Sequence, residues 1–398
     1  MINLRNVYIF VFILIVISCF VIGGVVQFFI GVPNTVFSVL LSGFFLAFYC
    51  LYVLVKHKVF LDRVVLLHLI LGMLIIISAV LNETSLIKTL IYFIFVFLPL
   101  GCYLFFKVNQ KENYISQLKI SRIFLVIACL QLPVILVQHF GYDFLIDFNR
   151  SNQSVSEIDF MFGTFFLKAD HALGYFILFN IFNLIENNED KKITKYPTLF
   201  YLYFGATILA SESNISKLIL GVFVLYMIYR TFPKKIKILG ILAVIISSPF
   251  LISQLIKFKA VEHEIYIIKK EYNVKKSYIN YERGIAKRPQ VIITYASKIP
   301  LKIFGDGPYS YFNILKGKFS KTKHFSQILW MYADLGIIGL VIFIMLLYAI
   351  VKNLELSNHI NVFVFGITLV FSLMTTIFSD LCIMITLMCI LQNRKRIE

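Results

Sequence analysis

Two closely spaced arginines begin the stretch of this sequence whose residue types are best suited to chemistry. Arg283 and Arg288 lie in a polar, strongly basic segment, and Pro289 follows directly. The guanidinium group stays charged at any working pH and presents a planar fork that matches phosphate oxygens. Because proline suits the first turn of a helix, Arg288 is predicted near a helix N-terminus, where backbone amides also favour anions. The pattern predicts an anion site at one or both arginines; anchoring to lipid headgroups is the alternative.

A histidine ends the same basic segment, directly before a long apolar run. The imidazole of His324 can accept a proton from a sugar hydroxyl at neutral pH, since its ordinary pKa is near neutral. The alternative is an interfacial histidine that only hydrogen-bonds lipid or backbone. No cysteine or second histidine stands at metal-ligand spacing, and no Ser/His/Asp order supports nucleophilic hydrolysis. Proton transfer by this imidazole is the chemistry predicted here.

Five further residues are weaker candidates for binding a substrate. Gly305 and Gly307 precede a proline, a sequence that predicts a sharp turn because glycine readily adopts positive φ. Asp170 and His171 begin one apolar run, and Lys217 lies near the start of another. Ionisable groups at the ends of membrane spans are costly to bury and often functional, although they can also extend to water.

The composition identifies the kind of protein that must position these residues. The 398 residues are 59% hydrophobic and only 15% charged, with 41 Phe, and the mean hydropathy is +0.85. Globular soluble chains carry about 25% charged residues, so a soluble domain is excluded. All six cysteines fall inside apolar runs, where we interpret them as small hydrophobic residues.

The predicted fold is all-α, a polytopic integral membrane protein. Apolar runs of about 20 residues, the length that crosses a ~30 Å hydrocarbon core, recur along the chain. They predict about 12 spans in a single membrane domain over 1–398, with the first span at 7–29. About 11 spans is the alternative, because 360–391 can be divided at Asp380 or left whole. One large loop, 253–323, lies between spans nine and ten.

Lysine and arginine predict the orientation of the spans. Loops rich in these residues alternate with loops that carry almost none, which places the basic loops and both termini in the cytoplasm. The loop at 253–323 is then extracytoplasmic, since long loops cross largely regardless of charge. The net charge of +17 follows from this rule and from attraction to anionic lipid headgroups, so nucleic acid is not predicted as a partner.

Three places in the chain resemble the superfamily of O-antigen polymerases and O-antigen ligases. Residues 163–166 with 170–175 resemble its Gly-Thr-Phe…Asn/His…Ala entry to a middle span. Residues 211–217 resemble its Ser-Arg/Lys start of a span, with Lys217 in the basic place. Residues 283–339 resemble its large-loop signature: arginine, amphipathic helix, Gly-x-Gly-Pro, histidine and Asp/Glu-Leu-Gly-x-x-Gly.

The resemblance implies a metal-independent glycosyltransferase, with no cofactor, at the outer face of the bacterial cytoplasmic membrane. Its donor would be a glycan repeat unit linked to undecaprenyl pyrophosphate. Arg283 or Arg288 would hold the leaving pyrophosphate, and His324 would help to activate the acceptor hydroxyl. Membrane lipids are expected partners, and a chain-length regulator and a flippase of the same pathway are candidate partners.

Two related activities and one transport activity fit this resemblance. A polymerase of O-antigen, capsular or exopolysaccharide repeat units is favoured over a ligase that transfers glycan to the lipid A core, although a shared fold does not separate the two. A flippase or transporter of lipid-linked glycans is the third alternative. It is disfavoured because transporters usually contain internal repeats, and the two halves of this sequence show none.

Overall fold

The computed structural model describes most of the chain outside the large loop. The described residues are 3–151, 160–167, 169–188, 192–211, 213–233, 302–311 and 326–390, together with 153, 155, 157, 292 and 300. All regular secondary structure within these ranges is helical. Arg283, Arg288, His324 and predicted span nine lie outside the described residues.

The described elements are numbered in chain order. They are α1 Leu4–Phe20, α2 Gly23–Ile30, α3 Asn34–Lys56, α4 Arg63–Leu81, α5 Leu86–Glu112, α6 Gln117–Phe140, α7 Tyr142–Leu145, α8 Asp170–Asn187, α9 Pro197–Ala210, α10 Asn214–Thr231, α11 Gln327–Lys352, α12 Asn358–Met374 and α13 Leu381–Ile385, which continues as a π-helical turn to Ile390.

The long apolar helices confirm an all-helical membrane protein. Five described helices are long and apolar enough to cross a membrane, and the bent pair α1 and α2 makes a sixth. Many of their apolar side chains face outward; Val80, Leu86 and Leu202, for example, are 72%, 72% and 70% exposed. Outward-facing apolar side chains suit a hydrocarbon solvent. The total of about 12 spans stays a prediction.

The first span is not the uninterrupted helix that its hydropathy predicts, because α1 and α2 are bent by 55°. The 160–167 segment packs closely against Gly24 at the bend. The Gly24 amide donates to the Thr164 carbonyl at 3.2 Å. A Cβ on Gly24 would lie 2.0 Å from the Phe165 carbonyl oxygen, so only glycine fits there. The Thr164 hydroxyl donates to the carbonyl of Phe20, the last residue of α1. Side chain and backbone from another segment therefore replace the helical hydrogen bonds lost at the bend.

The alternating helices bring the described loops to two ends of the bundle. The basic end is formed by residues 57–62, 113–116, 188, 192–196 and 353–357 with the helix termini beside them, and contacts join these loops across the bundle. Tyr103 donates its hydroxyl to Asp62 and accepts from the Asn353 amide at 2.8 Å. The distal end is formed by residues 31–33, 82–85, 141–151, 160–167, 211, 213, 302–311 and 375–380.

The last helix lies in the middle of the bundle. Every residue of Leu381–Ile390 is buried, and the segment contacts α1, α5, α6 and α8. At about 1.5 Å rise per residue it is far shorter than the ~30 Å hydrocarbon core. Asp380 caps its start by accepting from the amides of Cys382 and Ile383 at 3.0 and 3.3 Å. The helices on either side of Asp380 are separate, as in the 12-span interpretation of 360–391, and the number of spans stays a prediction.

Candidate functional site

Helix α11 is broken at Gly336, close to its distal end. Gly336 has φ 73° and ψ −163°, which no helical residue adopts. The break exposes backbone groups that need partners. Segment 302–311 supplies them: the Ile337 amide donates to the Lys302 carbonyl at 2.9 Å, and the Asp306 amide donates to the Ala333 carbonyl at 2.9 Å.

The predicted glycine turn lies directly against the break. Gly305 and Gly307 have φ of 70° and 90°, the left-handed conformation that the sequence indicates. A Cβ on Gly305 would lie 2.5 Å from the Asp334 carbonyl oxygen, and one on Gly336 would lie 2.5 Å from the Gly305 nitrogen. Both positions therefore require glycine for conformation and for space.

The side chain of Asp334 binds the end of the same segment. This carboxylate is fully buried. It accepts from the Tyr311 amide at 2.7 Å, from the Ser310 hydroxyl at 2.8 Å and from the Tyr309 amide at 3.0 Å. An ionised carboxylate only accepts, so three converging donors match it. Burial and the nearby Asp334 charge raise the pKa of Tyr309 to about 12.

Helix α4 supports the turn from the other side. The Ser78 hydroxyl lies 2.8 Å from the carbonyl oxygens of both Phe304 and Asp334. Its single proton serves one of them at a time. Thr84, in the turn after α4, packs against Gly307. We call residues 302–311 with Ser78, Asp334 and Gly336 the clamp.

A second polar cluster joins the starts of α8 and α10. His171 Nδ1 lies 3.2 Å from the Ser213 hydroxyl, which lies 2.7 Å from the Ser216 hydroxyl. A Cβ on Gly174 would lie 1.9 Å from the Ser216 oxygen, so glycine is what lets these helices meet. We call His171, Gly174, Ser213 and Ser216 the serine cluster. In this cluster, residues of the motif at 170–175 contact residues of the motif at 211–217.

The other two candidates in these helices lie beside the cluster. Lys217 is half-buried in the first turn of α10, where its amide donates to the Ser213 carbonyl at 3.1 Å. Asp170 is the first residue of α8, and its side chain is not among the described parts of the chain. The partly exposed side chains of His171 and Lys217 thus bring an imidazole and an ammonium group to the distal end, where they suit the hydroxyls and anionic groups of a polar ligand. The buried hydroxyls of Ser213 and Ser216 hold the starts of α8 and α10 together.

The distal end of α12 connects the serine cluster with α11. The Phe371 ring contacts the rings of His171 and Tyr175 at centroid distances of 6.4 and 4.9 Å. One residue on, the Ser372 carbonyl accepts from the Ser326 hydroxyl at 3.5 Å. Ser326 is two residues after His324, the predicted catalytic histidine. Helix α12 therefore contacts both the serine cluster and a residue close in sequence to His324.

The described residues include only part of the predicted site, and the functional role of every predicted site residue stays a prediction. Gly305 and Gly307 belong to the clamp, and His171 belongs to the serine cluster with Lys217 beside it, whereas Arg283, Arg288 and His324 stay predictions from the sequence. Sequence reasoning missed Ser78, Tyr309, Tyr311 and Phe371. A serine inside an apolar span was a usable signal for Ser78; nothing in the sequence singles out Phe371.

Two further observations concern cofactors and relatives. No group of three or more His, Cys, Asp or Glu side chains that could hold a metal ion occurs within the described ranges. Comparisons with protein families, with curated proteins and with solved structures give no match to this chain.

Proposed function

We propose that the chain is a polymerase of lipid-linked polysaccharide repeat units. It transfers glycan from undecaprenyl pyrophosphate to an acceptor glycan at the outer face of the cytoplasmic membrane. The supporting observation is that α12 joins the serine cluster to the start of α11, so that the described parts of the motif regions resembling the superfamily lie at one end of the bundle. A donor with a polyprenyl tail and a charged head requires a polar site at the end of an apolar bundle, because the tail needs apolar surroundings and the head needs polar ones.

The proposed reaction is a displacement at the anomeric carbon of the donor sugar. An acceptor hydroxyl oxygen forms the new bond to that carbon as the bond from the carbon to the pyrophosphate oxygen breaks. The acceptor proton passes to His324, and undecaprenyl pyrophosphate leaves with the bonding electrons. Arg283 and Arg288 stabilise the negative charge that develops on the leaving group, the step at which fixed cations are most effective.

The described residues position the groups of this reaction. The clamp fixes the chain where the large loop approaches α11, because Asp334 and Gly336 bind residues 302–311 through backbone and side-chain hydrogen bonds. His171 of the serine cluster and Lys217, both partly exposed, provide hydrogen-bonding groups for sugar hydroxyls. Positioning of this kind contributes to catalysis because a small displacement of reacting groups is costly in rate.

The test is the surface polysaccharide of cells that lack the protein, complemented with wild type or with single variants. Loss of the protein is expected to leave acceptors that carry one repeat unit. Arg283→Ala, Arg288→Ala and His324→Ala should fail to restore long chains at wild-type membrane levels. His139→Ala is the matched control, since His139 is an exposed histidine at the distal end of α6, outside both clusters.

Other results would assign another activity. Long chains left on undecaprenyl pyrophosphate, with a bare lipid A core, would identify a ligase. Repeat units confined to the cytoplasmic side would identify a flippase. Normal polysaccharide in cells without the protein would contradict all three.

A further inference from the structure

A groove of about 430 Å³ runs between α1 and α6. The two helices meet through Phe20 and Phe124, whose ring centroids are 5.2 Å apart, and the groove lies beside this contact. Its walls are apolar, with Ile13 and Ile17 from α1 and Val126 from α6. These three side chains are 47%, 43% and 61% exposed, so the groove is open to whatever surrounds the bundle.

One charged residue, Arg122, lines this otherwise apolar groove. Arg122 lies in the second turn of α6 from the basic end, and its Nη2 donates to the Lys192 carbonyl at 2.7 Å. That bond fixes the guanidinium group at the groove and leaves several of its N–H groups for another acceptor. Lys119, an exposed lysine one turn earlier on α6, adds positive charge at the same place.

The length of the groove matches one leaflet of a bilayer. Its α1 wall extends from Phe12 to Val21, a rise of roughly 14 Å at ~1.5 Å per residue. This is about half of the ~30 Å hydrocarbon core. An occupant with its polar group at Arg122 therefore extends from the basic end to about the midplane, as a single phospholipid does.

We propose that this groove binds one phospholipid with an anionic headgroup, from the leaflet at the basic end of the bundle. An acyl chain fills the space between α1 and Val126, and the lipid phosphate accepts hydrogen bonds from Arg122. The additional positive charge of Lys119 selects a lipid of net negative charge over a zwitterionic one. This inference is independent of the proposed enzymatic activity.

Native mass spectrometry of the full-length purified protein tests the proposal by titration with phosphatidylglycerol or phosphatidylcholine. Wild type should retain one phosphatidylglycerol in preference to phosphatidylcholine. Arg122→Gln should weaken retention about fivefold, the effect of one cation at a membrane surface. Val126→Trp should block the groove, and because Val126 is largely exposed the change leaves the core intact.

Arg63→Gln is the matched control, because Arg63 is an exposed arginine at the basic end of α4, away from the groove. Arg122→Lys should keep most of the preference, since it keeps the charge. Equal losses in Arg122→Gln and Arg63→Gln, full retention in Val126→Trp, or no preference of wild type for phosphatidylglycerol would each overturn the proposal.

Discussion

Gly305 and Gly336 lie against each other backbone to backbone, although 31 positions separate them in the sequence. A Cβ on Gly336 would lie 2.5 Å from the Gly305 nitrogen and 2.3 Å from the Ile303 carbonyl oxygen. Both residues have positive φ. This contact joins the glycine turn of the large-loop region to the break in α11, and the clamp depends on it.

Gly336→Ala is expected to destabilise the protein by about 1–3 kcal/mol, because the methyl group meets backbone atoms and the conformation disfavours a side chain. Thermal unfolding of the purified protein in detergent measures the change. Gly366→Ala is the control: Gly366 lies within α12 with no atom within 4 Å of its would-be Cβ. There the substitution should be neutral or stabilise by up to about 1 kcal/mol. Similar destabilisation by both substitutions would refute a specific contact at Gly336.

Asp334→Asn is expected to loosen residues 302–311 without changing the shape of the side chain. The amide group places a donor where Asp334 now accepts from the Tyr309 and Tyr311 amides. Leaving one buried donor unpaired costs about 1–3 kcal/mol. Limited proteolysis should therefore cut this segment faster than in wild type.

Asp306→Asn serves as the comparison for that experiment. Asp306 forms an ion pair with Lys302, whose side chain is 48% exposed. A pair of this kind contributes about 0–1 kcal/mol. Equal cleavage rates in the two variants would mean that the buried carboxylate does not hold the segment.

One part of the clamp, the glycine turn, is predictable from the sequence, and its contact with α11 is not. The two glycines before Pro308 predicted the turn, because the tendency of Gly305 and Gly307 to adopt positive φ is a local property of the sequence. Its docking on Gly336 was not predictable, since a helical pattern covers 327–352 and the contact joins distant segments. The bend between α1 and α2 escaped prediction for the same reason: hydropathy continues through it, and Thr164 comes from another part of the chain.

The serine cluster gives a test by double substitution. Gly174→Ala should destabilise the packing of α8 on α10, because its Cβ would lie 1.9 Å from the Ser216 oxygen and 2.5 Å from the Ser216 Cβ. Ser216→Gly removes both atoms, so the double variant should recover part of the lost stability. The expected coupling is about 0.5–3 kcal/mol. Strictly additive effects would show that the two side chains do not compete for this space.

The bend in the first span depends on the Thr164 hydroxyl. It donates to the Phe20 carbonyl and accepts from the Gln131 amide at 2.8 Å. Thr164→Val keeps the shape but leaves these groups unpaired, for an expected loss of about 1–3 kcal/mol in thermal unfolding. Thr89→Val is the control, because the Ser85 carbonyl that Thr89 binds also accepts from the Thr89 amide. An equal loss in both variants would contradict the role given to Thr164.

The most direct test of the proposed function is a reaction with purified protein and one repeat unit linked to undecaprenyl pyrophosphate, in the presence of a metal chelator. The account predicts glycans of two or more units and release of undecaprenyl pyrophosphate by wild type and by His139→Ala. It predicts no elongation by His324→Ala. Failure of wild type to elongate this donor, or full elongation by His324→Ala, would contradict the account.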